Sequence, residues 1–571
     1  MEDISIVISG AAGQGVQTVE QLLVGILKMS GFNVFATKEY ESRVRGGTNS
    51  TELRIATTRV AAFVNRIDLL IPFSKIAIDH VKTRLSEKTV ILADETLLTE
   101  EDSFRYPHLI KLPFQQTAVE MGNKIYSNVV SVGTITGLFG ADPEIGKKFL
   151  QQRFQTKGET IIIQNQEAFS KGFSMGKGLK ENGTVNFAIE PTEGVESEIL
   201  FNGNQAVALG AIAGGCNFIS AYPMSPSTGV LIFLAQHSEE FEIVIDQAED
   251  EIAAINKTVA AWFAGARAIA STSGGGFALM GEGLSLAGIM ESPLVIHIAQ
   301  RPGPATGLPT RTAQEDLNLA LYGGHGEFNR VIFAPGTIQQ AFYLTQKAFN
   351  LADEFQIPVF VLTDQDFVDG YYNIPSLDIS ELKNTRHIVK TTEDYKRYQL
   401  TENGISPRGV PGYGEGLVRA DSDEHDENGH ITEDMEIMRP AMTEKRIYKR
   451  RQLLEAVTES PTLIPEAEYR TLIICWGSNY HVVKEAILVA GKPEISMLHF
   501  HQVYPLPKTI SETLEKAEKI ILIENNATGQ FGKVLTLELG IIIPRKQQFL
   551  RYSGKPWSVE EIVNIIQKEA L

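Results

Sequence analysis

Short apolar runs that end in a turn and give way to a helix-spaced stretch recur along this chain. That alternation confines it to sheets covered by helices, with the strands expected to run largely parallel. The first run, "ISIVISG", stops at Gly10, and "VQTVEQLLVGILKMSG" then carries apolar residues at helical spacing as far as Gly31. "FNVFAT", "RIDLLIPF" and "TVILADE" continue the pattern as strands. A polar stretch, "LKENGTVN", followed by the Glu-rich "IEPTEGVESE", marks the end of this block near residue 190. A second block, 195–375, has strands in "FEIVID", "ARAIASTS", "PLVIHIAQ", "RVIFAPG" and "PVFVLTD". Residues 376–465 are rich in Pro, Gly and charge, as in "NGISPRGVPGYGEG" and "RADSDEHDENGHITED", and read as an irregular excursion with no core of its own. The third block, 466–571, has strands in "TLIICWG", "ISMLHFH" and "KIILIENN". The fold class is therefore α/β, with three α/β domains.

Composition narrows the function classes. The net charge of −18 opposes binding to phosphate backbones, which argues against a nucleic-acid partner. No apolar run approaches the ~18–20 residues of a membrane span. The chain opens directly into a strand-like run, so no secretory signal is expected and the setting reads as cytoplasmic. The two cysteines, Cys216 and Cys475, sit among apolar residues and read as buried thiols. Two distant cysteines cannot ligate an iron–sulfur cluster, so a one-electron enzyme built on this chain needs a partner chain to hold one.

Five segments can carry chemistry. In "GAAGQGVQT", residues 10–18, glycines between a strand and a helix let backbone N–H groups approach an anion, with Gly13 and Gly15 as the candidate contacts. The spacing is neither the dinucleotide fingerprint nor a P-loop, and a tight turn with no ligand is an equal reading. In "KEYESRVRGGTNSTELRI", residues 38–55, Arg43 and Arg45 precede a Gly-Gly pair in a loop that either grips an anion or packs on a neighbouring subunit. In "SAYPMSPSTGV", Pro223 and Pro226 stiffen a turn bearing Ser225, Ser227 and Thr228. Thr228 or Ser227 is expected to cap the next helix, leaving Ser225 for a ligand. In "IDQAEDEIAAINKTVAAWFAGARA", Glu251 shares the inward stripe of Ile255, Val259, Trp262 and Ala266. It is either a partly solvated group in the helix dipole or a buried acid with a partner. Finally, Arg301 follows the strand "PLVIHIAQ" and the Gly-rich turn "SGGGF". It is placed either to bind a carboxylate or to clamp loop carbonyls.

Taken in order, these motifs resemble the 2-oxoacid:ferredoxin oxidoreductases. "GAAGQGVQT" with "EYESRVRGG" is similar to the gamma domain of that family. "AYPMSPST", "EDEIAAIN", "TSGGGFALM" and "QRPGPATGLPTRTAQEDL" are similar to its alpha chain, and "ICWGSN" and "ENNATGQFG" to the alpha chain's transketolase-C-like domain. The resemblance implies a gamma-type domain over 1–190, a thiamine diphosphate pyrimidine-binding domain over 195–375 and a transketolase-C-like domain over 466–571. The fused layout resembles the two-chain 2-oxoglutarate:ferredoxin type most closely. It implies thiamine diphosphate shared with a beta subunit, coenzyme A as co-substrate, and magnesium and a four-iron–four-sulfur cluster in that beta subunit. A dimer of heterodimers and ferredoxin as electron acceptor follow from the same resemblance.

The resemblance also assigns roles. Glu251 would hydrogen-bond the aminopyrimidine ring and favour its imino tautomer, with Tyr222 and Pro223 beside the cofactor. Arg301 would bind the substrate carboxylate and Ser225 would donate to the substrate. This chain reads "YPMSPS" where the family usually has "YPITPS", and "GAAGQG" where it usually has "GGQG". A distal carboxylate on 2-oxoglutarate needs a second cation, for which Arg311, Arg43, Arg45 and the beta chain are candidates. Because this chain is acidic, an acidic ferredoxin is expected to dock on the beta chain. A plain NAD-dependent dehydrogenase would need a Gly-x-Gly-x-x-Gly turn and an acid ~20 residues on, and neither is present. A non-catalytic relative would show decay at Glu251 and Arg301, and both are retained.

Overall fold

The computed structural model describes residues 3–41, 47–456 and 459–569, so Arg43 and Arg45 lie outside the described residues. The chain forms two compact units. One is Met1–Phe201 with Asp369–Ser376 and Ser558–Glu560, and the other is Asn202–Val368, Leu377–Trp557 and Glu561–Leu571. Among the described residues no helix is long and apolar enough to cross a membrane.

The first unit is built on an eight-stranded sheet. Its order is Leu109–Leu112, Val90–Asp94, Leu69–Pro72, Asp3–Ala11, Thr48–Ala56, Asn33–Glu39, Tyr371–Ile374 and Ile199–Asn202. The first four of these strands pair in parallel. Thr48–Ala56 runs antiparallel to both its neighbours, so the sheet is mixed and not wholly parallel. That strand corrects the reading of 38–55 as a loop. Its alternation is hidden in the sequence because two of its charges are buried in pairs. Arg54 reaches Asp3 at 2.6 Å, and Glu52 pairs with Arg84 at 2.6 Å. The other face carries Leu53 and Ile55 into the core against the helix Val16–Met29. Tyr371–Ile374, expected to close the second block, instead adds to this sheet beside Asn33–Glu39.

The second unit contains two sheets. One orders Gln502–Tyr504, Val331–Phe333, Pro358–Asp364, Leu294–Gln300, Ala268–Thr272, Phe218–Ala221 and Val244–Gln247. All of these pair in parallel except Gln502–Tyr504, which crosses from the third block to run antiparallel with Val331–Phe333. The other sheet orders Thr462–Ile464, Ile495–Phe500, Thr471–Trp476, Lys519–Glu524 and Gln548–Leu550. Ile255 and Val259 of one helix share a core with Ile296 and Ile298 of the first sheet and Leu472, Trp476 and Leu522 of the second. Cys216 and Cys475 are buried and free, and burial pushes the Cys216 thiol up to about 12.

The stretch 376–465 is not wholly irregular: Met438–Ala456 is a helix of 19 residues. Its polar composition conceals a buried anchor. Lys445 and Lys449 both pair with Glu291, and all three side chains are about 2% exposed. The two ammonium groups hold the Glu291 carboxyl well below its ordinary range. Arg408 of the same stretch joins Arg267 on the buried Asp353. Charges that mark a solvated loop by composition here hold the excursion to the sheet.

Candidate active site

The site lies in the second unit, at the carboxyl ends of the parallel strands, where open α/β sheets bind ligands. Three chain segments meet there on Gly274, Gly275 and Gly276, which form not a separate turn but the first turn of the helix Gly274–Leu279.

Glu251 opens the helix Glu251–Phe263, whose N-cap is Asp250, accepting from the Ala253 N–H at 2.8 Å. Ile255, Val259 and Trp262 form the buried stripe as expected, whereas the helix ends before Ala266. Glu251 is 3% exposed, so the partly solvated alternative does not hold. Its Oε1 has no hydrogen-bond partner among the described residues. Gly276 accounts for how it fits: a Cβ there would stand 2.6 Å from Glu251 Oε1 and 2.2 Å from Thr272 Oγ1. The glycine is required by this close approach, since any side chain would displace the carboxylate.

The strand Phe218–Ala221 feeds the turn that bears Ser225. Neither Ser227 nor Thr228 caps the following helix Thr228–Gln236 through its side chain. The Ser227 hydroxyl instead donates to the Met224 carbonyl at 2.8 Å, closing the turn on itself. Tyr222 is 40% exposed and Pro223 is exposed. The Ser273 hydroxyl contacts Met224 Sδ, which ties this turn to the glycine-rich one.

Arg301 follows the strand Leu294–Gln300 and is half-buried. Its Nη1 donates to the Ser225 carbonyl at 2.7 Å, bringing the two expected substrate residues together. This contact also fits the loop-clamping alternative. The loop from Arg301 to Asp316 is closed by Glu315, whose Oε2 accepts from the Gly303 N–H at 3.0 Å. The Gln314 Oε1 accepts from Asn479 Nδ2 and from the Asn525 N–H, both at 3.0 Å, and its Nε2 donates to the Trp476 carbonyl at 2.9 Å. Gln530 Nε2 donates to the Glu315 carbonyl at 2.6 Å. The motifs "ICWGSN" and "ENNATGQFG" therefore hold this loop in place, a role the sequence reading did not assign them. Arg311 is half-buried, and its Nη1 donates to the Thr310 carbonyl at 3.1 Å.

Asp316 escaped the sequence reading. It packs against the same glycine-rich segment as Glu251, where a Cβ on Gly274 would stand 2.1 Å from its Oδ2. Burial and the neighbouring Glu315 push its carboxyl up to about 7, against the pull of Arg301. The only sequence signal was the spacing of two glycines in "SGGGF", which leaves room for a carboxylate against each.

In the first unit Gly13 and Gly15 adopt positive φ, at 88° and 78°, and Gly15 precedes the helix Val16–Met29. The Gln14 side chain folds back to accept from the Ala11 N–H at 2.6 Å. A Cβ on Gly13 would meet nothing within 4 Å, whereas one on Gly15 would stand 2.4 Å from Asn128 Nδ2. Gly13 therefore faces open space, and Gly15 is favoured by its left-handed backbone, since the one close atom is the end of the Asn128 side chain.

Comparison with known proteins identifies the arrangement. Residues 209–444 match the family model described as pyruvate flavodoxin/ferredoxin oxidoreductase, thiamine diphosphate-binding, and residues 5–175 match pyruvate ferredoxin/flavodoxin oxidoreductase. The fold is thus that of a thiamine-dependent 2-oxoacid oxidoreductase subunit. The chain is 31% identical to the 2-oxoacid:ferredoxin oxidoreductase alpha subunit of Saccharolobus solfataricus, over 98% of this chain and 96% of that one. It is 32% identical to the 2-oxoglutarate synthase subunit KorA of Archaeoglobus fulgidus, over 65% of this chain and 99% of that one. A solved structure of the 2-oxoglutarate:ferredoxin oxidoreductase from Magnetococcus marinus, with 2-oxoglutarate, coenzyme A and succinyl-CoA bound, superposes with a TM-score of 0.91. The identity is 30%, and the match covers 100% of both chains. The chain belongs to the 2-oxoacid:ferredoxin oxidoreductase family, as an alpha subunit.

Proposed function

We propose that this chain is the alpha subunit of an enzyme that oxidatively decarboxylates 2-oxoglutarate to succinyl-coenzyme A and passes the electrons to ferredoxin. The observation that carries the substrate assignment is the likeness, over the full length of both chains, to the Magnetococcus marinus enzyme. A beta subunit would hold the diphosphate, magnesium and iron–sulfur sites, in a dimer of heterodimers in the cytoplasm. Residues 1–190 would be its gamma-type domain, 195–375 the pyrimidine-binding domain and 466–571 the transketolase-C-like domain.

The residues present fit the pyrimidine end of thiamine diphosphate. Glu251 Oε1 is a buried acceptor that no described residue satisfies, and Gly276 leaves it unobstructed. Bound there, the cofactor supplies the carbon nucleophile and electron sink that decarboxylation requires. Glu251 holds the ring and exchanges a proton at its carboxylate, with Tyr222 and Pro223 forming the exposed wall beside it. Arg301 binds the 2-oxoacid carboxylate, and the Ser225 hydroxyl donates to the same molecule. Arg311 offers the charge for a distal carboxylate. The turn at Gly13 and Gly15 offers backbone N–H groups to an anionic cofactor group such as a phosphate.

The test uses the enzyme assembled with its co-purified partner chain, comparing kcat/KM for 2-oxoglutarate, pyruvate and 2-oxoisovalerate. A clear preference for 2-oxoglutarate is expected. Equal values, or preference for an apolar 2-oxoacid, would overturn the substrate assignment.

A further inference from the structure

Two buried carboxyl groups press on one glycine-rich turn, and the reaction as described uses only one. Glu251 lies against Gly276 and Asp316 lies against Gly274. The Oδ2 of Asp316 is buried and has no hydrogen-bond partner among the described residues. Its backbone N–H donates to Gln300 Oε1 at 3.0 Å, and Gln300 Nε2 donates in turn to the Thr363 carbonyl at 3.1 Å. Asp316 is therefore anchored to the residue immediately before Arg301, on the strand that aims that arginine. The loop's other acid, Glu315, is engaged with the Gly303 N–H.

We propose that Asp316 is a positioning residue that gates the binding of the 2-oxoacid carboxylate at Arg301. As the neutral acid it does not compete for the guanidinium. As the carboxylate it draws on the same positive charge and repels the anionic substrate. This rests on the reading of Arg301 as the substrate's carboxylate partner. The charged groups acting on Asp316 are Glu315, which raises its titration, and Arg301, which lowers it. Glu251 packs two residues along, against Gly276. Burial places the titration at about 7, so the acid form prevails below neutrality and the carboxylate above it. The substrate carboxylate stays ionised throughout this range.

The sign follows directly: substrate binding weakens as pH rises. If only the acid form admits substrate, KM is proportional to one plus the ratio of ionised to neutral Asp316. That ratio gives a rise of about tenfold between pH ~6 and ~8. The experiment measures KM and kcat for the 2-oxoacid across that range in the assembled enzyme, with coenzyme A and ferredoxin saturating. The wild-type KM is expected to rise about tenfold. In Asp316→Asn it is expected to stay flat, while the kcat profile keeps its wild-type shape. A flat KM in active wild-type enzyme overturns the proposal without any variant, and so does an Asn variant whose KM still rises. Wild-type enzyme that turns over no 2-oxoacid would instead refute the functional reading on which this rests.

Discussion

Replacing Gly276 with alanine tests the site where the backbone lies against Glu251. The added methyl would stand 2.6 Å from Glu251 Oε1, 2.8 Å from Glu251 Cγ and 2.2 Å from Thr272 Oγ1. Both neighbours are buried, at 3% and 0% exposure, so neither can swing into solvent. Ordinary contact begins near 3.4 Å, so the carboxylate oxygen must withdraw by about 0.8 Å. Overpacking of this kind destabilises by ~1–3 kcal/mol. Alanine returns up to ~1 kcal/mol of helix propensity, because Gly276 lies within the short helix Gly274–Leu279. The net effect on stability is then ~0–2 kcal/mol, and the protein stays folded. Misplacing a catalytic group by about 1 Å lowers the rate by ~10²-fold. Gly276→Ala in the assembled enzyme is therefore expected to lose about two orders of magnitude in kcat, with a thermal midpoint only a few degrees lower. Wild-type kcat in this variant would refute the argument that Glu251 works from this position.

Glu251→Gln should lower kcat by ~10²–10⁴, measured by ferredoxin reduction, because an amide cannot exchange the proton. Arg301→Lys should raise the KM for every 2-oxoacid, since a point charge loses the bidentate geometry, and Ser225→Ala should weaken substrate binding by ~1–3 kcal/mol in the same assay. Arg311→Ala should raise the KM for 2-oxoglutarate selectively; an equal loss on pyruvate would show that it serves the loop. Glu291→Gln leaves Lys445 and Lys449 buried without their shared anion. It should destabilise the chain by ~3–5 kcal/mol in denaturant unfolding.

What the sequence determined alone is the class. Period-two and helix-period runs, with glycines between them, were enough for α/β sheets, because burying one face of a strand or helix leaves a local signature. Glu251 was legible as inward-facing from its four-residue offset to Ile255, and Arg301 from its place after a buried strand. The motifs from "AYPMSPST" to "QEDL" were specific enough to carry the family. Helical spacing overran its end at Ala266, because Gly265 at a φ of 94° turns the chain and closes the helix after Phe263.

Only the tertiary structure decided the rest, because the physics there is nonlocal. Thr48–Ala56 and Met438–Ala456 looked like solvated segments since their charges have partners far away in the chain, and pairing cancels the desolvation that would otherwise keep those charges outside. Whether Ser227 caps a helix or closes its own turn depends on angles that no residue type specifies. The strand Tyr371–Ile374 lies in sequence beside the second block, yet its open hydrogen-bonding edge is satisfied by Asn33–Glu39, more than 300 residues away. Asp316 acquires its character from a glycine 42 residues earlier, an arginine 15 residues earlier and the burial of its Oδ2. A carboxylate's charge state is set by what surrounds it in space, and that neighbourhood exists only once the chain has folded.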